Sequence, residues 1–382
     1  MADKQPTEVP IAFSEECELL ARSAADLLAD NCGITDVRGW MTTDSGYDAA
    51  LWKRIGELGW LGVALPEAHG GAGLGATALV AMTEVMGRHL LGAPFLSTSL
   101  ATQLIVALDD DAASARLLPA LAEGKTIATV ALSDREGSWA DDAPLANAHA
   151  DGDGFLLNAD CAFILDAQAA DLLLIPATLG DDVAVFAIES GQLPEGALQR
   201  QQLIDETRRS YALRIEGLAL GAGARIGGDA EEALGRVRRL GTLLVAAEMT
   251  GGASGAVELT LEYLRTRKQF GKLIGSYQAL KHPMVDLTLG VEMARSLVYD
   301  AATQIDADTA SAVVATHMAK AQAGDAFTEV ADRSIQFHGA IGFTYECHAQ
   351  LFFRRARWGE ATFGDAGHHR RILSDLVLPA TL

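Results

Sequence analysis

Apolar residues recur every three or four positions from about Phe13 to Gly124, and this spacing predicts helices. The first opens at Ser14 as a candidate N-cap. Cys17 stands where a capping box would place Glu or Gln, while Glu15, Glu16 and Glu18 favour a helix start. Leu19, Leu20, Ala24, Leu27 and Leu28 fall on one face. A second helix is predicted over Tyr47–Leu58, closing at Gly59. The turn-rich GVALPEAHGGAGLG follows, and helical spacing resumes from Ala76 to Gly87.

The period shortens from about Lys125 to Gly221. TIATVAL, GFLLNADCAFIL, DLLLIPAT, VAVFAIE and YALRIEGLAL are short apolar or alternating runs between Gly, Asp and Pro clusters, which predicts an antiparallel sheet. From about Glu231 the helical period returns in long segments. One runs through ALGRVRRLGTLLVAAEMTGGASGAVELTLEYLRTR, one from Gln278 towards Ile305 and one through Ala310 to Phe337. Long amphipathic helices with short connections predict a four-helix bundle. The expected fold class is therefore α+β and multidomain. It comprises an N-terminal helical domain (1–124), a middle β-barrel or β-sandwich domain (125–222) and a C-terminal helical bundle (223–382).

Composition narrows the function. The net charge is −21, and such a chain repels phosphate backbones and anionic membranes unless a patch is locally basic. Nucleic acid is therefore not expected as a partner, and any site for an anionic acyl-CoA must be locally basic. Cys17, Cys32, Cys161 and Cys347 lie far apart without CxxC spacing and are read as reduced and structural. MADKQPTEVPIAF lacks a signal pattern, and no apolar run approaches the ~20 residues that span a bilayer. A cytoplasmic location away from the membrane is the expectation. The histidines, with only His368 and His369 adjacent, show no metal-ligand spacing, so no metal is expected. GGAGLG and GGASGA do not open a helix after a strand, which removes a βαβ nucleotide fold.

Three segments carry a family likeness. LWKRIGELGWLGVALPEAHGGAGLG, YLRTRKQFGKLIGSYQALKHPMVDL and SIQFHGAIGFTYECHAQLFFRRAR occur in that order. Each resembles a signature of the acyl-CoA dehydrogenases, and the likeness covers nearly the whole chain. The resemblance implies FAD as cofactor and α,β-dehydrogenation of an acyl-CoA thioester. In the family a carboxylate takes the α proton and flavin N5 accepts the β hydride. An electron-transfer acceptor would then reoxidise the flavin.

By the same resemblance Arg267 matches the family's diphosphate-binding arginine, with Gln269 and Phe270 its companions. Gln336, Gly339 and Gly342 match the segment along the adenine half. A guanidinium fork suits a diphosphate, and glycines admit close backbone approach. In the middle domain, Ser133 and Ser138 of ALSDREGSWADD retain hydroxyls for the flavin. Phe163 of NADCAFILD retains the aromatic wall, whereas Leu165 replaces a hydroxyl.

The base departs from the pattern. Phe363 stands where the family's commonest catalytic Glu would fall, with Glu360 and Asp365 out of register. Gly241 stands at the alternative position on the first bundle helix. Glu248 lies seven residues later on the same face, in apolar LLVAAEMTGG, and is the candidate base. The alternative is a structural acid paired with an arginine such as Arg238 or Arg265. The RRAR segment, residues 354–357, reads most simply as a solvated helix end, or else as a phosphate clamp.

Two function classes remain. One is an enzyme with its own FAD acting on an acyl-CoA, including a bulky or ring-bearing one such as a steroid side chain. The other is a non-catalytic partner that completes a homologous chain's site. The assembly is accordingly a homotetramer or an α2β2 heterotetramer. A flavin oxidase on the same fold is a further option.

Overall fold

The computed structural model describes residues 15–137, 139 and 146–378. The proposed N-cap Ser14, the N-terminal segment 1–13 and Ser138 lie outside the described residues.

The chain begins with α1 (Glu15–Asn31), α2 (Ile34–Met41), α3 (Ala49–Glu57), α4 (Gly75–Arg88), α5 (Phe95–Ala107) and α6 (Asp111–Ala122). Eight strands follow: β1 (Ala128–Val130), β2 (Ala146–Asp151), β3 (Gly154–Leu165), β4 (Leu172–Leu179), β5 (Asp182–Glu189), β6 (Leu198–Arg200), β7 (Ser210–Leu220) and β8 (Arg225–Ile226). Helix α7 (Ala230–Thr266) leads into a hairpin of β9 (Lys268–Gln269) and β10 (Lys272–Leu273). Then come α8 (Gln278–Asp306), α9 (Ala312–His338), α10 (Ala349–Ala361) and α11 (Ala366–Val377). The expected helix–sheet–helix order is present.

By packing, the chain divides into two units. One comprises the described residues up to Arg38, Leu74–Leu91, and everything from Thr242 onward. The other comprises Gly39–Gly73 and Gly92–Gly241. The N-terminal helical zone thus contributes to both, because α1 and α4 belong with the bundle helices and α3, α5 and α6 with the sheet.

In the bundle unit, α1 buries Cys17, Ala21, Ala24, Ala25 and Leu28. This corrects the face expected from its leucines, since Leu19 is 59% exposed. The buried stripe follows i, i+4, i+7, i+11 and is made mostly of small residues, which let a neighbouring backbone come close. Helices α4 and α7 approach closer still. A Cβ at Gly251 would stand 1.8 Å from the Glu84 carbonyl oxygen, and one at Gly87 2.1 Å from that of Glu248. Gly251→Ala is therefore expected to force the helices apart and cost about 3 kcal/mol, at the upper end of overpacking effects. A chemical-denaturation midpoint equal to wild type would refute that contact.

By length and average hydropathy alone, α7 meets the measure of a membrane-crossing helix, although its glycines and Glu248 interrupt its apolar run. Within the protein, 89% of its apolar window is buried.

In the sheet unit the strand order is β6-β7-β3-β2-β4-β5-β8, with β1 also on β4. Most pairs are antiparallel as expected, but β1 and β2 each run parallel to β4. The β3–β7 register shifts between Cys161 and Ile164, and Phe163 sits in that shift with φ 53°. Arg209 is buried and donates to the carbonyls of Trp40 and Met41 at the end of α2 and of Thr43 just after it.

Candidate active site

The end of α7 and the hairpin after it carry a locally basic patch, of the kind an acidic chain needs for an anionic ligand. Arg265, Arg267, Lys268 and Lys272 are all exposed there. Among the described residues no ion pair or side-chain hydrogen bond engages the Arg267 guanidinium. Gln269 is exposed, and Phe270 is 91% exposed at the turn with φ 52°. So large an apolar ring in water is unfavourable unless something covers it.

The second predicted segment follows α9. Gln336 is in its last turn, and Gly339 ends it with φ 66° and open space where a Cβ would be. Gly342 differs, because its Cβ would lie 2.1 Å from the Ile335 carbonyl oxygen. Packing of its own turn requires that glycine. The two segments are tied together. The Tyr263 and His338 rings stack with centroids 4.4 Å apart, and the Tyr263 hydroxyl donates to the His338 carbonyl at 3.3 Å. His338 Nδ1 lies 2.7 Å from the Ser334 carbonyl oxygen, and the Thr260 hydroxyl donates to the Ser334 hydroxyl at 2.8 Å. The ends of α7 and α9 therefore present Arg267 and Gln336–Gly342 on one scaffold. An available guanidinium, exposed lysines and an open glycine backbone fit a dinucleotide's diphosphate half.

In the sheet unit Ser133 and Phe163 lie on neighbouring chain segments, bridged at Asp134 and Cys161. The Ser133 hydroxyl is fully buried and donates to the Asp134 carbonyl at 3.3 Å. Phe163 is 37% exposed, and its N–H donates to Gln201 Oε1 at 2.8 Å. Leu165 is buried.

Glu248 is 2% exposed and Arg355 1%. Arg355 Nη1 donates to the Glu248 carboxylate at 2.5 Å, and its Nη2 donates to the Leu90 carbonyl at 3.2 Å. The guanidinium lies 5.7 Å from the Trp358 ring centroid. This bears on two expectations. The arginine paired with Glu248 is Arg355, where Arg238 or Arg265 was offered as an example, and Arg355 of the RRAR segment is not solvated. Arg355 falls on the buried stripe of that helix with Leu351, Phe352, Trp358 and Gly359, three or four positions apart, so a run of charge need not lie wholly on the surface. Phe363 is buried with φ 58°. Glu360 pairs with Arg357 at 2.9 Å, and Asp365 caps α11 through the His368 N–H.

Two buried charged centres were missed in the sequence. Glu84 of α4 accepts from Arg295 Nε at 2.7 Å and from the Tyr299 hydroxyl at 2.9 Å. Burial raises the Glu84 pKa while Arg295 pulls it down. Lys320 of α9 is fully buried and donates to the Gly359 and Gly364 carbonyls at 2.9 and 2.6 Å. Burial brings its pKa down to about 7. Beside it, the Nδ1 atoms of His317 and His369 lie 2.7 Å apart. The available signal was a single charge inside an apolar run, in ALVAMTEVMG and ATHMAKAQAG.

A helical domain, a sheet and a helical bundle carrying such a diphosphate-fitting surface define a flavin-dependent oxidoreductase class. Family profiles agree: "Acyl-CoA dehydrogenase, N-terminal domain" matches residues 14–125, and "Acyl-CoA dehydrogenase, C-terminal domain" matches 232–378. The chain is 30% identical over 353 residues to acyl-CoA dehydrogenase IpdE2 of Mycolicibacterium smegmatis, covering 92% of this chain and 96% of that protein. It superposes on the Tcur3481-Tcur3483 steroid ACAD with TM-score 0.85 at 29% identity, covering 95% and 98% of the two chains. Against the ChsE4-ChsE5 complex from Mycobacterium tuberculosis the TM-score is 0.87 at 26% identity, covering 96% and 98%. The chain belongs to the acyl-CoA dehydrogenase family, FAD-dependent oxidoreductases acting on CH–CH groups.

Proposed function

We propose that this chain is a subunit of an acyl-CoA dehydrogenase acting on a bulky, steroid-derived acyl-CoA. It would hold the diphosphate and adenine half of FAD through Arg267, Gln269, Phe270 and the Gln336–Gly342 segment. The observation that carries this reading is the exposed Arg267 guanidinium, without an ion-pair partner among the described residues, on the scaffold that also presents Gly339. Similarity to a steroid ACAD supports the substrate class. Bound FAD supplies the two-electron acceptor. The chain's own part is to fix the dinucleotide by charge and close backbone contact. By the family resemblance, Ser133 and Phe163 of the sheet unit would meet the ring end of a flavin. An electron-transfer acceptor and a cytoplasmic setting complete the proposal.

A specific observation favours the partner-subunit form of this reading. Phe363 occupies the usual base position, and Glu248 is closed inside an ion pair with Arg355. Neither residue is then the base, which a homologous chain would contribute in an α2β2 assembly rather than a homotetramer. Resemblance to the ChsE4-ChsE5 complex is consistent with that form.

The test is Arg267→Ala in the assembled protein. Loss of a charge-assisted fork is expected to weaken FAD retention by roughly ten- to a hundredfold. Flavin absorbance after gel filtration measures it, and equal retention would remove Arg267 from the cofactor.

A further inference from the structure

The stretch from Gly339 to His348 has little to hold it by burial. Ile341 is 50% exposed, Phe343 76% and Tyr345 56%. A segment with few buried apolar contacts opens at low cost, so its conformation leans on polar ties, both within its turns and at its ends. Within it, backbone bonds close the turns from Gly342 to Gly339, Thr344 to Ile341 and Cys347 to Thr344, and its first end is tied by Tyr263 to His338, as described. Its far end is tied by Arg38 of α2, some three hundred residues earlier in the chain. Arg38 Nη2 donates to the Tyr345 carbonyl at 2.5 Å and to the Cys347 carbonyl at 3.3 Å. Arg38 Nε donates to His348 Nδ1 at 3.2 Å.

The Arg38 guanidinium also lies 5.0 Å from the Tyr345 ring centroid, and that of Arg354 lies 5.9 Å from it on the other helix flanking the turn. His348 must present a bare Nδ1 to accept from Arg38. Burial, then the Arg38 charge, lowers its pKa and keeps the ring neutral. One half-buried side chain therefore spends its fork and its ring-stacking face on a single turn, a task that lysine's point charge does not match.

We propose that Arg38 is a positioning residue for FAD: it clamps the far end of the Gly339–His348 turn and so preorganises the Gly339 backbone that meets the adenine half. This rests on the cofactor reading above. Arg38 acts through the turn and does not touch the cofactor. Preorganisation removes an ordering cost that binding would otherwise bear.

The test uses the full chain, assembled with whatever partner it requires, as wild type, Arg38→Ala and Arg38→Lys. FAD affinity is read by flavin fluorescence, turn order by chymotryptic cleavage after Phe343 and Tyr345, and integrity by the melting temperature of the apoprotein. Arg38→Ala is expected to weaken FAD about tenfold or more and to speed cleavage by a similar factor. Arg38→Lys should fall between Arg38→Ala and wild type, and it carries the comparison should Arg38→Ala not fold. Weaker FAD binding with unchanged cleavage would overturn the clamp, as would cleavage and affinity equal to wild type. A wild-type protein that takes up no flavin would instead overturn the cofactor reading, while the cleavage rates still report whether Arg38 holds the turn.

Discussion

Glu248→Ala is expected to destabilise the protein by about 3–5 kcal/mol, because it leaves the Arg355 guanidinium buried without its counter-charge. Both side chains are almost wholly excluded from water, so solvent screening gives little relief. Glu248→Gln should cost less, on the order of 2 kcal/mol, since the amide oxygen can still accept from Arg355. Urea unfolding of the wild type and both variants measures the difference. The same Gln variant decides the chemistry. A carboxylate acting as the base would lose roughly a hundred- to ten-thousandfold in turnover with FAD retained. A structural carboxylate predicts turnover of the folded complex within a few-fold of wild type. The partner-subunit form gains support from the second outcome, and a yellow, active homotetramer of this chain alone would exclude it.

Lys320 gives the second large effect, in the pH dependence of stability. Burial lowers its pKa from 10.5 to about 7 in the folded protein, with Glu360 and Asp365 pulling the other way. Between those values the unfolded chain binds more protons than the folded one. Stability therefore rises with pH across that window and is lost as pH falls towards 7. One proton difference is worth about 1.4 kcal/mol per pH unit, so wild type should gain about 2 kcal/mol between pH 7.5 and 9 relative to Lys320→Met. The methionine variant also leaves the Gly359 and Gly364 carbonyls without their donor, but that cost is present at both pH values and cancels in the slope. Cys32 and Cys161, both raised to about 12 by burial, titrate alike in the two proteins. Parallel urea midpoints at the two pH values would show that Lys320 stays charged when folded.

Much of the architecture was legible because it rests on local pattern. The period change near Lys125 and its return near Glu231 mark where sheet replaces helix. The GKLIGSY break is a turn, and it turned out to carry a hairpin. Arg267 and Gly339 were singled out by their likeness to a family motif, and in the fold Arg267 is exposed and Gly339 has open space beside it. Leu19 was misplaced because periodicity locates a stripe only to within a residue or two, and which stripe is buried depends on the neighbour's shape. The parallel pairing of β1 and β2 with β4 had no local signature, since strand direction in a sheet is a property of connections and not of composition.

The amino-acid sequence by itself determined the family and the order of helices, sheet and bundle. These depend on periodicity and on short motifs, both of which are local. The tertiary structure alone decided what the isolated charges do. Glu248 and Arg355 are 107 residues apart in the chain, and Arg38 and His348 are 310 apart. A charge in an apolar run announces that it needs a partner, but the partner is whatever group the fold brings within about 3 Å. Coulomb and hydrogen-bond energies depend on that distance and on the exclusion of water, neither of which is written along the chain.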